Sequence, residues 1–143
     1  MKSFPINSIS RIIATVLLLS LISCKQDSIA IEKVTADKKA VGHWRLISIT
    51  SGWTGKTDSP TEKIEMSINE QQQATIYKND TKVSSFQYTL EQASSETLLY
   101  RISQQSGSSP FSLSKEGYFK VSSRQLIMDS TPVDGPAYLF ERN

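Results

Sequence analysis

Lys63-Ile64-Glu65-Met66-Ser67-Ile68-Asn69, followed across Glu70-Gln71 by Gln73-Ala74-Thr75-Ile76-Tyr77-Lys78, decides how this chain reads. Ile64, Met66 and Ile68 alternate with charged or polar neighbours, and successive side chains of a strand point to opposite faces, so the run makes one apolar and one wet face. The next run repeats the period. Ala74 and Ile76 supply its apolar surface, and Asn79-Asp80 then marks a tight turn into a third stretch.

Working outward, the same texture covers Lys82 to Glu91, with Phe86, Tyr88 and Leu90 on one face, and Thr97 to Gln104, with Leu98, Tyr100 and Ile102. It continues in Gly117 to Ser122 (Phe119, Val121), Arg124 to Asp129 (Leu126, Met128) and Ala137 to Arg142 (Tyr138, Phe140). Backwards, Gly42 to Thr50 completes a set of eight strands from residue 41 onward, and no run of ten or more has helical periodicity. The fold class is all-β. Eight short strands with hairpin-length connections predict an antiparallel up-and-down barrel, because closure removes the exposed edges of an open sheet. A two-sheet sandwich needs long crossovers, and only residues 51–61 and 104–116 are long enough to supply them.

In such a barrel Phe86, Tyr88, Leu98, Tyr100, Ile102, Phe119, Met128 and Tyr138 point inward. They either fill the interior or line a narrow pocket, and several tyrosines favour a pocket, because buried hydroxyls need partners and can orient a ligand's polar group. Trp53, in the Gly-flanked segment Ser51-Gly52-Trp53-Thr54-Gly55, is either a lid over the open end or a side chain folded back onto the barrel. Phe111 and Leu113 either extend the strand at 117–122 backwards or plug one end. Arg45 and Arg101 face solvent by alternation, where either could pair with an anionic ligand at a rim.

The domain opens with Gly42-His43-Trp44 and closes with Asp134-Gly135-Pro136-Ala137-Tyr138-Leu139-Phe140-Glu141-Arg142. This pairing resembles the lipocalin signature, in which a Gly-x-Trp motif starts the first strand and its indole plugs one end of the barrel against a late arginine. The resemblance implies that Gly42, Trp44 and Arg142 close the barrel. Residues 138, 140 and 142 share one parity, so Arg142 is expected to stack on Trp44 from inside the closed end. The domain is shorter than a full lipocalin and lacks a C-terminal helix.

Ahead of the barrel, Leu21-Ile22-Ser23-Cys24 follows the apolar run Ile12 to Ile22, with Lys2 and Arg11 in front of it. The run is too short to span a bilayer comfortably and reads as a signal. The motif resembles a bacterial lipobox, which implies cleavage after Ser23, a lipidated Cys24 and an anchor of two or three acyl chains. Each buried methylene adds about 0.8 kcal/mol, so such an anchor holds permanently. The expected organisation is therefore a signal at 1–23, a lipidated cysteine and charged tether at 24–40, and a barrel at 41–143. Thr35 to Ala40 can form a helical turn at the tether's end. Lipobox, short tether, Gly-x-Trp opening and Tyr-x-Phe-x-Arg ending together resemble the small lipocalin-like lipoproteins of Bacteroidetes-type bacteria. Lys25 is not an aspartate, so the expected location is the outer membrane, facing the periplasm or the surface.

Composition closes several other routes. The chain's net charge of +2 comes from 16 basic and 14 acidic side chains, and Lys2 and Arg11 leave with the signal. That balance does not suggest nucleic-acid binding, which needs a concentrated basic excess. Cys24 is the only cysteine and His43 the only histidine. With the thiol acylated, no metal or cofactor site and no Ser-His-Asp set can be assembled, and Glu62 and Glu65 lack an acid/base partner. The sequence thus predicts no catalytic residues. It predicts a membrane-anchored binder of a small hydrophobic or amphipathic molecule, with Trp53, Phe86, Tyr88, Tyr100, Phe119, Met128 and Tyr138 as the ligand-binding residues. The alternative is a packed barrel whose loops 51–61 and 104–116 engage a protein or a glycan.

Overall fold

A computed structural model describes residues 27–143. The signal and Cys24 lie outside the described residues. Strand β1 (Gly42–Thr50) is followed by a two-residue ribbon, β2 (Thr57–Asp58), and then by β3 (Ile64–Ile68), β4 (Gln73–Lys78), β5 (Thr81–Ser94) and β6 (Thr97–Gly107). The chain ends with β7 (Glu116–Val121), β8 (Gln125–Asp129), a 3-10 turn at Thr131–Val133 and β9 (Ala137–Arg142). From β3 to β9 each strand pairs antiparallel with the next, and β1 pairs with both β3 and β9. The eight long strands therefore form a closed up-and-down barrel, as the alternation predicted.

The closing seam sets Trp44 opposite Arg142, Leu46 opposite Phe140 and Ile49 opposite Tyr138, with an extra residue, Ile47, on the β1 side. Similar irregularities occur in β4–β5 at Ile76/Tyr77 and in β5–β6 at Gln87/Tyr88 and Gln92/Ser94. Bulges bend a strand and increase its twist, which a small barrel needs in order to turn its corners. The β4–β5 hairpin turns at Asn79 and Asp80, both with positive φ, as a two-residue connection between Lys78 and Thr81.

The inward set is continuous around the wall. Trp44, Leu46, Ile64, Met66, Ile68, Ala74, Ile76, Phe86, Tyr88, Leu90, Leu98, Tyr100, Phe119, Val121, Leu126, Met128, Tyr138 and Phe140 are all buried in one cluster. Ile102, expected among them, is only partly buried and packs against the cluster from its margin.

The structure corrects the tether. Residues from Asp27 onward belong to the folded unit, and an eight-residue helix, α1 (Lys33–Ala40), lies on the barrel end where β1 begins. Ala36 and Ala40, one turn apart on the same face, are fully buried, and Ala30 is buried beside them. Small side chains let the helix sit close to the mouth. The Ala30 amide donates to Val121 O at 2.7 Å, and Gln92 Nε2 donates to Ile31 O at 3.0 Å, so the segment is fastened to β7 and β5.

Candidate functional site

Trp44 is fully buried at the helix-covered end, where its indole N–H donates to Ala40 O at 2.7 Å. The Arg142 guanidinium sits 4.1 Å from the indole ring. Its Nε donates to Ser123 O at 2.7 Å, one terminal nitrogen to Val41 O at 3.0 Å and the other to Lys39 O. Arg142 is exposed, so it stacks from the outer rim rather than from inside the barrel as expected. The end of β9 clears the wall there, and the side chain folds over the seam. Gly42 has φ +141, and a Cβ on it would lie 2.3 Å from an Arg142 nitrogen, so glycine is required where the guanidinium crosses.

The opposite end is filled by a loop. Phe111 is buried, with its ring centroid 4.7 Å from that of Tyr138 and 6.1 Å from that of Phe140. Tyr138 Oη donates to Ser112 O at 2.7 Å, which ties the loop to the wall. Phe111 thus plugs this end and does not extend a strand.

Between these seals the expected pocket residues meet one another. Phe86, Tyr88, Tyr100, Phe119, Met128 and Tyr138 are all buried, with Tyr88 stacked on Phe119 at 6.0 Å and tilted against Phe86 at 6.4 Å. They fill the interior. Tyr100 Oη shares a 2.7 Å hydrogen bond with Ser130 Oγ, whereas Tyr88 Oη and Ser84 Oγ are buried without a partner. Burial pushes the Tyr138 hydroxyl up to about 12 and the Tyr100 hydroxyl up as well. Burial, with the nearby Asp37 carboxylate second, pushes Tyr88 further still. All three phenols stay neutral.

Trp53 stands apart from them, with 83% of its surface exposed. Its hairpin is ordered: Ser51 N donates to Lys56 O at 2.9 Å, Gly55 N to Ser51 O at 2.8 Å, and the Thr50 and Thr57 hydroxyls meet at 2.8 Å. Neither expectation for Trp53 holds, since the indole neither covers the mouth nor folds back. The base of the hairpin leans on the β8–β9 connection, where a Cβ on Gly52 would lie 2.0 Å from Gly135 O.

The far side of that connection lines a groove of about 570 Å³ on the outer wall of β5, β6 and β7, within the 300–1,000 Å³ range of ligand-sized hollows. Leu99, Tyr118, Pro132 and Val133 are its apolar lining, with Tyr118 36% and Val133 55% exposed. Arg101 crosses it between Glu91, 3.2 Å from Nε, and Glu116, 3.0 Å from a terminal nitrogen. As expected, Arg101 faces outward, but carboxylates of the chain itself already hold it.

Sequence alternation missed this groove, because outward apolar residues such as Leu99 and Tyr118 are scattered among polar ones and converge only across strands. His43 is exposed; Glu62 pairs with Lys78 at 2.7 Å and Glu65 with Lys63 at 3.2 Å. Among the described residues no three His, Cys, Asp or Glu side chains are grouped to hold a metal ion, and no helix is long and apolar enough to cross a membrane. No family model, curated protein or solved structure matches the chain.

Proposed function

We propose that this chain is a lipocalin-like lipoprotein of the bacterial outer membrane whose barrel is a rigid scaffold and whose Trp53 hairpin and adjoining outer groove bind a protein partner in the envelope. The observation that carries the reading is the contrast between a filled, twice-sealed interior and an indole held in solvent on an ordered hairpin. Ordering a solvent-exposed tryptophan forgoes burial of a large apolar surface, and such residues dominate binding energy at protein interfaces. The base of the Trp53 hairpin packs on the 130–136 connection at Gly135, and that connection also carries Val133, which lines the outer groove with Tyr118 beside Arg101 and its carboxylates. Anchorage through Cys24 would keep the Trp53 hairpin, which follows the end of β1 opposite to α1, away from the membrane.

The test is photo-crosslinking in the native bacterium, with a benzophenone amino acid placed at 53, 118 or 133 and, as controls, at 43 or 82. A common adduct from the first three positions and none from the controls is expected. Trp53→Ala should then weaken capture of that partner by about 2 kcal/mol or more, the range of an interface hot spot, with thermal stability unchanged. Adducts distributed evenly over all five positions, or undiminished capture by Trp53→Ala, would refute the reading.

Phe111 supports a second reading, a carrier for a small hydrophobic ligand. Its ring occupies the open end from a Ser-, Gly- and Pro-containing loop, and Tyr138 Oη and the unpartnered Tyr88 Oη and Ser84 Oγ would be the polar contacts once the loop withdrew. Native mass spectrometry of the protein purified from its own membrane separates the two, since only the carrier retains a small lipophilic molecule besides the anchor.

A further inference from the structure

Asp27 is the first described residue, and it is pinned. Its carboxylate accepts hydrogen bonds from Ser123 N at 2.8 Å, Ser122 Oγ at 2.9 Å and Arg124 N at 3.2 Å, as well as from Ser123 Oγ. These donors form the β7–β8 turn on the same barrel end that α1 covers. Only Lys25 and Gln26 separate Asp27 from Cys24, a contour of at most about 11 Å. Whatever holds Cys24 therefore holds this end of the barrel within about one headgroup layer of itself.

The surface presented there is apolar. Ile29 and Ile31 flank the buried Ala30 and point away from the barrel, with 54% and 49% exposure. On α1, Val34 lies opposite the buried Ala36 and is 65% exposed, with Lys38 one turn further along the same face. Lys33 is held by Asp37 at 2.7 Å and Arg124 is largely exposed beside Asp27, while Glu32 adds an opposing charge. Exposed apolar side chains within ten residues of Cys24 along the chain, bordered by lysine and arginine, match the boundary between acyl chains and anionic headgroups.

We infer that the α1 end of the barrel docks on the bilayer, with Ile29, Ile31 and Val34 inserted among the lipids beside the acylated Cys24. The inference rests on the lipidation proposed above, and its occupant is the lipid surface. The apolar trio acts as a second attachment point, so the domain is held upright and does not swing on its anchor, which directs the Trp53 hairpin away from the membrane.

The full chain, expressed and processed in a lipoprotein-exporting bacterium, carries the test. Its only native thiol, that of Cys24, is consumed by the anchor, so Ile31→Cys and Trp53→Cys each offer one thiol for an environment-sensitive fluorophore. The labelled proteins are reconstituted in phosphatidylethanolamine–phosphatidylglycerol vesicles whose acyl chains carry bromine near the headgroup. The expected result is a blue-shifted label at 31 that loses most of its emission to the bromolipid, and a label at 53 that stays solvent-like and unquenched. Equal solvent exposure at both positions overturns the docking, as does a shielded but unquenched label at 31, which would place a second copy of the chain there. Intact mass is read on the same samples. A protein without the acyl adduct refutes the lipidation, and the docking with it, whereas an adduct with a solvent-like label at 31 refutes the docking alone.

Discussion

The two ends of the barrel are closed by different means. At one end the seal is main chain: α1 lies across the mouth, Trp44 bonds to Ala40 O, and one guanidinium gathers three carbonyls contributed by residues 39, 41 and 123. At the other end it is a single ring, Phe111, on a loop tied to the wall by one tyrosine hydroxyl. The exposed large apolar residues divide in the same way: Ile29, Ile31 and Val34 near the first end, and Trp53, Tyr118 and Val133 near the second. A seal held by a buried indole, several guanidinium-to-carbonyl hydrogen bonds and docked small residues needs many contacts broken together to open, whereas a seal built from one side chain opens with fewer. The difference suits a barrel with one permanent footing and one working face.

Substitution at the firm end should have the largest effect. Trp44→Ala removes a fully buried indole, its hydrogen bond and the support for Arg142, so a loss of about 3 to 5 kcal/mol is expected by urea unfolding. That is a large fraction of the about 5–15 kcal/mol that holds a domain of this size. If Trp44→Ala cost no more than a surface change, the two ends would be equivalent and the comparison would fail.

Phe111→Ala should cost less, about 1 to 2 kcal/mol, because its loop can partly collapse into the space and regain contacts that a barrel wall cannot. Its signature is local. Amide exchange should accelerate at residues 108–115 and leave β1 and β9 protected, as hydrogen-exchange mass spectrometry would show. Acceleration at the β1–β9 seam would mean that the loop supports the whole barrel.

The eight strands and the turn at Asn79-Asp80 were legible because alternation and turn chemistry are local. The meeting of Trp44 and Arg142 came from the resemblance of the two chain ends to the lipocalin signature, whereas parity along β9 pointed the guanidinium inward and the structure puts it on the outer rim. The docking of residues 27–40 was not legible. That segment is rich in Lys, Asp and Glu, and its three buried positions, Ala30, Ala36 and Ala40, carry the smallest apolar side chain, which leaves almost no hydrophobic signal. Nor could the sequence decide whether the interior holds a ligand. Phe86, Tyr88 and Tyr138 would alternate identically around a cavity or a core, and a loop residue far along the chain supplies the ring that fills the end.

The clamp at Asp27 sharpens the comparison by pH. Hydrogen bonds from Ser123 hold the Asp27 carboxyl at about 2, below its ordinary 3.8. A carboxylate whose pKa is lower in the folded state stabilises the fold above its ordinary value and loses that contribution as pH falls through the folded one. The N-terminal segment should therefore stay docked at pH 5 and loosen between about 4 and about 2. The Ala30 amide, bonded to Val121 O, reports this by faster exchange after correction for intrinsic rates. Asp27→Asn should show loosened exchange already at neutral pH and lose the dependence. An Ala30 amide indifferent to both changes would show that Ala30 and α1 dock without the clamp.

The smallest effect concerns two interior hydroxyls. Tyr100→Phe deletes a hydrogen bond and strands Ser130 Oγ in a fully buried site, so it should cost about 1 kcal/mol. Tyr88→Phe removes a buried hydroxyl that has no partner in the protein, and deleting an unsatisfied polar group is neutral or stabilising by up to about 1 kcal/mol. The pair of substitutions thus asks what the interior is for. In a packed scaffold the Tyr88 hydroxyl is dispensable, and Tyr88→Phe keeps both stability and partner capture. In a carrier that hydroxyl would hold the ligand's polar group, and Tyr88→Phe would deplete the co-purifying molecule while leaving the melting temperature unchanged. Differential scanning calorimetry with native mass spectrometry on the two variants distinguishes these outcomes, and only the second would move the working face from the Trp53 hairpin into the barrel.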